Sequence, residues 1–357
     1  MIMVLKLNPD TYQEIMDLVG KGAYLSVESF VEVAIMNQIQ LEKEGIPEIA
    51  GKRTPTIQKT TEPEPTSKHG HKLSTQTLEL FSLPENTSLP VLQSQSLTER
   101  AKNSPLWGQI NRLGPAKFVL RLLGKQVALS GSDRVDLKRF SAEVAESATL
   151  IRTYIEKKDK TQRIRGEGLH IAFPKKDPRS QQRFINFYVG KFSGGKSTDG
   201  VLTGLSLARI DQTEDGSITI GLTEAGRQLA CMHSPLIDDF VLEETQVQSP
   251  FSPQEVEFML KHTKSFRPGD YEFLISILRF VQEGDNTPTR LHPRVSKFLK
   301  DANFAGTISE KVVNTMQVGA IGRLVEMRLL GIKKNAQKST YLLTNEGKTI
   351  LSNEVKS

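Results

Sequence analysis

Residues Ile218–Leu229 read ITIGLTEAGRQL, and residues Thr340–Leu351 read TYLLTNEGKTIL. Each stretch passes from a β-prone run to Leu-Thr, then two residues, then Gly and a helix-forming run. The apolar run predicts a strand, and the Thr (Thr223 or Thr344) predicts a helix N-cap. Glu224 and Glu346 suit the positive end of the helix that follows. The same strand-to-helix joint, repeated after about 120 residues, predicts two domains of one kind.

Working outward, each joint closes a hairpin. The longer phrases are ARIDQTEDGSITIGLTEAGRQLA and LLGIKKNAQKSTYLLTNEGKTIL. They resemble winged-helix DNA-binding proteins, over about 140 residues in total. In that family the hairpin is the wing and the capped helix ends the domain. The first unit is expected from about Asp177 to Ser234, with helices over Arg183–Lys191 and Thr198–Arg209 and a hairpin over Ile210–Leu222. The second is expected from about Phe266 to Leu351. It has an apolar helix over Asp270–Val281, a short one over Pro293–Leu299, and a Ser309-capped region reaching Leu330. Gly319 and Gly322 weaken that last region, which reads as two short helices around a turn.

The resemblance implies nucleic-acid binding, and the two wings differ in how well they suit it. The first tip carries Asp211, Glu214 and Asp215, which a phosphate backbone repels. The second carries Lys333, Lys334 and Lys338 beside Asn335 and Gln337. Upstream of it stand Lys311, Asn314, Thr315, Gln317 and Arg323, side chains of the types that bind base edges or phosphates. The second unit is therefore the expected DNA contact.

At the N-terminus, Met1–Leu7 is β-prone, and Pro9 and Asp10 open a helix with Tyr12, Ile15, Met16 and Val19 at helical spacing. After Gly20 and Gly22, Ser26 caps a second helix. The pattern VLKLNPDTYQEIMDLV–GKGAYLSVESFVEVAI resembles the ribbon-helix-helix family of Arc/MetJ-type repressors, over residues 1–44. The resemblance implies a homodimer built by paired strands. With Met3, Leu5 and Leu7 turned to the core, the outward set is Ile2, Val4 and Lys6, of which Lys6 alone hydrogen-bonds a base edge. Dimerisation alone and dimerisation with DNA contact both remain open.

Residues 45–103 are rich in Pro, Thr, Ser, Lys and Glu and read as a flexible tether, with an r.m.s. span on the order of 40 Å. Its sticky stretch, Leu78–Leu92, is a candidate dock for a partner protein. Leu106–Glu156 reads as helical, with Phe118, Leu122 and Leu123 on one face and Phe140, Val144, Ala148, Ile151 and Ile155 on another. The most basic stretch follows. Lys157, Lys158, Arg163 and Arg165, with Lys175, Lys176, Arg179 and Arg183, form either a solvated face or a phosphate-contacting surface.

Gly190–Ser197, GKFSGGKS, fits G-x-x-x-x-G-K-[ST]. As a phosphate loop it would follow a strand over Phe184–Val189, with Gly190, Gly195, Lys196 and Ser197 as candidate phosphate ligands. The acid-bearing strand such a fold needs has only Leu236–Asp239 as a candidate. No catalytic set, cofactor or metal site is expected. The histidines are scattered and Cys231 is alone.

The chain has 357 residues, 37% hydrophobic, with a formal net charge of +6. No apolar run approaches a membrane span, so a cytoplasmic, nucleoid-associated protein is expected. The fold class is mainly α (α+β): a ribbon-helix-helix (1–44), a disordered tether (45–103), a helical segment with a first winged helix (104–245) and a second winged helix (246–357). The function expected is that of a dimeric, sequence-specific binder of double-stranded DNA, as a transcription regulator or a plasmid- or phage-type replication or partition factor. The alternatives are a scaffold whose winged helices bind proteins and a nucleotide-binding protein acting through Gly190–Ser197.

Overall fold

The computed structural model describes residues 12–13, 15–16, 81–83, 89–161, 168–193, 196–198, 200–235, 237–238, 250–302, 308–335 and 338–356. The chain divides into two compact units, Met1–Pro65 and Thr66–Ser357. In the first, Tyr12, Gln13, Ile15 and Met16 are helical, as the spacing predicts. Ile15 is buried there, while Tyr12 and Met16 are exposed. The rest of the expected ribbon-helix-helix, Lys6 included, lies outside the described residues.

The second unit is mainly helical, with small antiparallel sheets. A short helix, α1 (Glu99–Lys102), leads in. A first repeat follows: α2 (Gly114–Ser130), β1 (Val135–Asp136), α3 (Leu137–Thr161), α4 (Pro178–Tyr188), β2 (Lys191–Ser193), β3 (Lys196–Thr198), α5 (Val201–Gly204), β4 (Ala208–Gln212), β5 (Ile218–Leu222) and α6 (Glu224–Cys231). Next come α7 (Pro253–Phe266), α8 (Pro268–Gln282), α9 (Pro288–Asp301), α10 (Glu310–Glu326), β6 (Leu330–Asn335), β7 (Lys338–Leu343) and α11 (Asn345–Lys356). Four of these helices, α4, α7, α8 and α9, open on a proline, whose fixed φ and missing N–H suit a first turn. Asp177, Thr223, Ser252, Thr287 and Ser309 cap helices with a side-chain oxygen.

The repeated phrase folds twice in the same way, down to single hydrogen bonds. Thr223 Oγ1 accepts from Gly226 N (3.1 Å) and donates to Ser206 O (2.5 Å). Thr344 Oγ1 accepts from Gly347 N (3.0 Å) and donates to Arg328 O (2.6 Å). The residues that receive these hydroxyls, Ser206 and Arg328, are the only non-glycine residues with positive φ among those described, at 48° and 58°. Both lie in the left-handed region, where a side chain costs energy. The Thr hydroxyl tying down the carbonyl is what holds each there. Gly226 and Gly347 admit no larger residue, since a Cβ would fall 1.7 Å from Leu207 O and 2.2 Å from Leu329 O.

The correspondence extends to the sheets. In the first repeat the order is β1-β5-β4, all antiparallel, with Val135 opposite Ile220. In the second, β6 pairs with β7 from Leu330↔Leu343 to Asn335↔Lys338. A single backbone bond, Tyr341 N to Asn286 O (2.7 Å), stands where the β1 pairing stands in the first. Thus α2, α3 and α6 match α8, α9 and α11. The position of α10 is divided in the first repeat: α4, a hairpin of β2 and β3, then α5. Gly190 and Gly200 sit at the two feet of that hairpin so close that a Cβ on Gly200 would meet Gly190 N at 2.6 Å.

Several sequence expectations change. The first repeat begins near Gly114, because α2 and α3 belong to it. Their stripes are core as expected, with Phe118, Leu122, Leu123, Phe140, Val144, Ala148, Ile151 and Ile155 all buried. Residues 105–113 are not helical. The helix expected over Arg183–Lys191 starts earlier, at Pro178, and the one expected over Thr198–Arg209 shrinks to α5. The short helix over Pro293–Leu299 is the longer α9, which holds Pro293 inside it. The region after Ser309 is one helix, not two. Its glycines serve close packing, because a Cβ on Gly319 would lie 2.2 Å from Gly108 O and one on Gly322 2.4 Å from Asn111 O.

The tether is also shorter than its composition predicts. Phe81, Leu89 and Leu92 are buried in the core of the second unit. Phe81 meets Phe118 edge to face, with centroids 5.1 Å apart, and Leu92 N donates to Leu222 O (2.7 Å). Of the sticky stretch proposed as a dock for a partner protein, the described residues Phe81, Leu89 and Leu92 are thus buried against this chain's own apolar surface, while residues 78–80 and 84–88 of it lie outside the described residues.

Candidate nucleic-acid interface

Four polar contacts, three of them buried and one half-buried, hold the two repeats and the strap between them. The Lys117 ammonium on α2 sits 2.8 Å from Glu255 Oε1 on α7, both side chains at most 1% exposed. Lys117 Nζ also donates to Met232 O (2.7 Å). Burial pulls the lysine down to about 8, and Glu255 opposes that shift. Asp270 on α8 takes Arg323 Nη1 on both oxygens, at 2.9 and 2.7 Å, and Leu106 N at 2.8 Å. Glu326 Oε2 accepts from the N–H groups of Leu113 and Gly114. Arg267 donates to Ser104 O (2.9 Å), Pro105 O (3.2 Å) and Gly204 O (3.2 Å). Residues 104–113 are thus a strap pinned between the third-helix positions of both repeats.

The expected DNA-contact residues of the second repeat separate into two groups. Lys311 and Asn314 are exposed on α10, and half-buried Thr315 lies beside them, its hydroxyl donating to Lys311 O. Gln317 and Arg323 point inward. Gln317 Nε2 donates to Pro288 O (3.0 Å), and Arg323 is wholly buried against Asp270. These two are structural, because helical spacing from Leu324, Ala320 and Val313 carries them to the packed face. In the hairpin, Lys333 and Lys334 are exposed, but successive strand residues face opposite sides, so one flat surface meets only one of them squarely. Lys338 pairs in register with Asn335, and its side chain is outside the described set.

The first wing is less acidic in effect than its sequence suggests. Asp211 lies within β4, not at the tip, and is neutralised by Arg209 (2.7 Å) and Arg134 (3.7 Å). Asp215 builds the turn: it accepts from Ser217 N and Oγ and from Thr213 Oγ1. Those hydrogen bonds hold its carboxyl below the usual range.

Of the basic stretch, Lys157 and Lys158 fall in the last turns of α3 with side chains outside the described set, and Arg163 and Arg165 lie outside the described residues altogether. What the structure does assemble is α4. Lys175, Lys176, Arg179, Gln182 and Arg183 are exposed along its start and outer face. Within Pro178–Tyr188 there is no carboxylate. Among the described residues no carboxylate pairs with Arg179 or Arg183, and the Arg183 guanidinium rests 5.1 Å from the Phe187 ring centroid. The missed signal was Asp177-Pro178, an N-cap followed by Pro at the first helical position.

The phosphate-loop match meets the wrong scaffold. Phe184–Tyr188 belongs to α4, not to a strand, and Val189 caps it. Gly190, with φ 116°, leads into β2 rather than into a phosphate cradle. Lys196 and Ser197 lie on β3, opposite Ser193 and Phe192, whereas a phosphate loop must run straight into a helix whose N–H groups face the anion. Gly195 is outside the described residues. Asp238, proposed to end an acid-bearing strand, sits in a turn and binds Arg121 at 2.6 Å.

Among the described residues no group of His, Cys, Asp and Glu is placed to hold a metal ion, and no helix is long and apolar enough to cross a membrane. Compared with protein families, with curated proteins and with solved structures, the chain matches none.

Proposed function

We propose that this chain is a dimeric, sequence-specific DNA-binding protein, a transcription regulator or a replication or partition factor, whose two repeats are winged helices. The observation that carries this reading is the outer face of α4, where exposed Arg179 and Arg183 follow Lys175 and Lys176 without a carboxylate among the helix residues. An accumulation of exposed cations at the start and along the outer face of this helix, none of them paired with a carboxylate among the described residues, suits a phosphate backbone. Each neutralised phosphate releases condensed counterions, which is the main source of such affinity. Lys311 and Asn314 on α10 and Lys333 on the second hairpin supply a second set, of which the Asn amide suits an adenine edge. The order helix, strand or bridge, helix, third helix and hairpin, present twice, supports the winged-helix reading. Dimerisation through residues 1–44 would make binding of a second site intramolecular and raise avidity.

The test is a salt titration of duplex binding by fluorescence anisotropy, with the parent and with Arg179→Ala/Arg183→Ala. The parent is expected to lose affinity steeply with salt. The double variant should bind more weakly on every sequence, with a slope shallower by about 2, or roughly one per lost phosphate contact. Parent-like slope and affinity in this variant and in Lys311→Ala/Lys333→Ala would refute the reading.

A further inference from the structure

Between the strap and the third-helix position of the first repeat lies a pocket of about 430 Å³, walled by Trp107, Asn186, Phe187, Lys191 and Arg267. We infer that it receives an unpaired nucleobase of single-stranded DNA, so that the protein holds a locally opened strand next to the duplex it contacts. The inference rests on the DNA-binding reading and adds a substrate form to it.

Trp107 is the chain's single tryptophan, and it is 42% exposed. Its indole is one of the two aromatic rings that line the pocket, with Phe187. Its neighbours are fixed on both sides: Leu106 N is held by Asp270 at 2.8 Å, and Gly108 N by Met316 Sδ at 3.1 Å. Gly108 is further locked against Gly319, where no Cβ fits. The Arg267 fork holds the carbonyls of Ser104, Pro105 and Gly204 around the floor. The indole is therefore held at the rim of the pocket rather than left to collapse into the core.

Phe187 lines the same pocket, and its ring already carries the Arg183 guanidinium. Aromatic rings accept bases of any sequence, because every base has a π-face. Asn186, half-buried on α4, accepts from Gln182 Nε2 (3.1 Å) on its Oδ1 and has its amide donor to offer a base edge. Exposed Lys191 at the foot of the hairpin stands where the adjoining phosphate would pass. A base stacked inside a duplex cannot enter such a pocket; only an unpaired or extruded one can. The pocket lies between α4 and the strap that also packs on α10, so an opened strand and the flanking duplex would meet one continuous surface.

Because tryptophan occurs once, its emission reports on this pocket alone. The full chain is titrated with a poly(dT) oligonucleotide, with a duplex of equal length and with thymidine monophosphate, following both emission and anisotropy. Stacking should quench Trp107 emission with poly(dT) and leave it unchanged with duplex and with the mononucleotide, which lacks the flanking phosphates. Trp107→Ala should weaken poly(dT) binding about 5- to 150-fold, the equivalent of ~1–3 kcal/mol of base stacking, and leave duplex binding intact. Trp107→Phe should recover most of the loss. The pocket is refuted, with the DNA-binding reading standing, where duplex binds but poly(dT) fails to bind or binds without changing the emission. It is also refuted by parent-like poly(dT) affinity in Trp107→Ala. Where neither nucleic acid binds, the DNA-binding reading falls as well.

Discussion

Arg323 offers the sharpest contrast between a surface contact and a structural ion. Its side chain is 0% exposed, and it meets Asp270, itself 2% exposed, through Nη1 alone. Its Nε and Nη2 have no hydrogen-bond partner among the described residues. Asp270→Asn keeps the shape and an acceptor for Leu106 N but removes the carboxylate charge that compensates Arg323. Breaking a buried pair from one side costs about 3–5 kcal/mol, a large part of the roughly 5–15 kcal/mol by which domains are stable. Arg323→Met strands the buried Asp270 carboxylate with Leu106 N as its donor, and so should cost a similar ~3–5 kcal/mol, less whatever removal of two unsatisfied donors returns. The double variant leaves no unpaired charge, so it should cost clearly less than the sum of the two single variants, with one buried amide as the remaining penalty. Urea unfolding of the four proteins, followed by Trp107 emission and circular dichroism, measures the cycle. Single variants that each cost under about 1 kcal/mol, or a double variant as weak as their sum, would refute the reasoning. A DNA-contact role for Arg323 predicts the reverse: full stability with weakened DNA binding.

Three further outcomes follow from the same contacts. Gly319→Ala gains up to about 1 kcal/mol in helix propensity, yet it should destabilise by roughly 1–3 kcal/mol because its Cβ meets Gly108 backbone at 2.2 Å; a raised urea midpoint would contradict the tight strap. Thr223→Val and Thr344→Val each break one hydroxyl bridge. The loss should be larger at wholly buried Thr223, about 1–3 kcal/mol, than at partly exposed Thr344, about 0.5–1.5 kcal/mol, and calorimetry should rank them so. Burial raises the Glu326 carboxyl above its ordinary 4.5. Its contribution to stability is therefore fully present below about pH 4.5 and is lost as pH rises through the elevated folded value. Glu326→Gln should gain on the parent as pH rises above that point, and a stability difference that stays flat with pH would exclude this.

Much of the second unit was legible from local chemistry. The Thr-capped joints, the two hairpins and the helical stripes of α2 and α3 depend on residues close in sequence, whose periodicity and caps act wherever the chain sits. The site was less legible. Lys311, Asn314 and Lys333 fall at the surface, but Gln317 and Arg323, of equally suitable chemistry, are turned inward by the phase of α10. The basic residues of α4 were legible as a candidate phosphate surface but not as one helix face, because Phe184–Val189 reads equally as a buried strand, and a short apolar run does not distinguish strand from helix.

The sequence by itself determined that one strand-to-helix joint occurs twice, because an N-cap, a glycine and an alternating apolar run are local instructions. Only the tertiary structure decided what surrounds each joint. It made Gly319 and Gly322 contacts rather than breaks, drew Phe81, Leu89 and Leu92 out of an apparent tether into the core, and turned a phosphate-loop pattern into a hairpin. It also set Trp107 beside Phe187, residues far apart in the chain. The physical reason is common to all of these: burial, close approach and charge pairing depend on distances between segments, and no spacing along the chain encodes those distances.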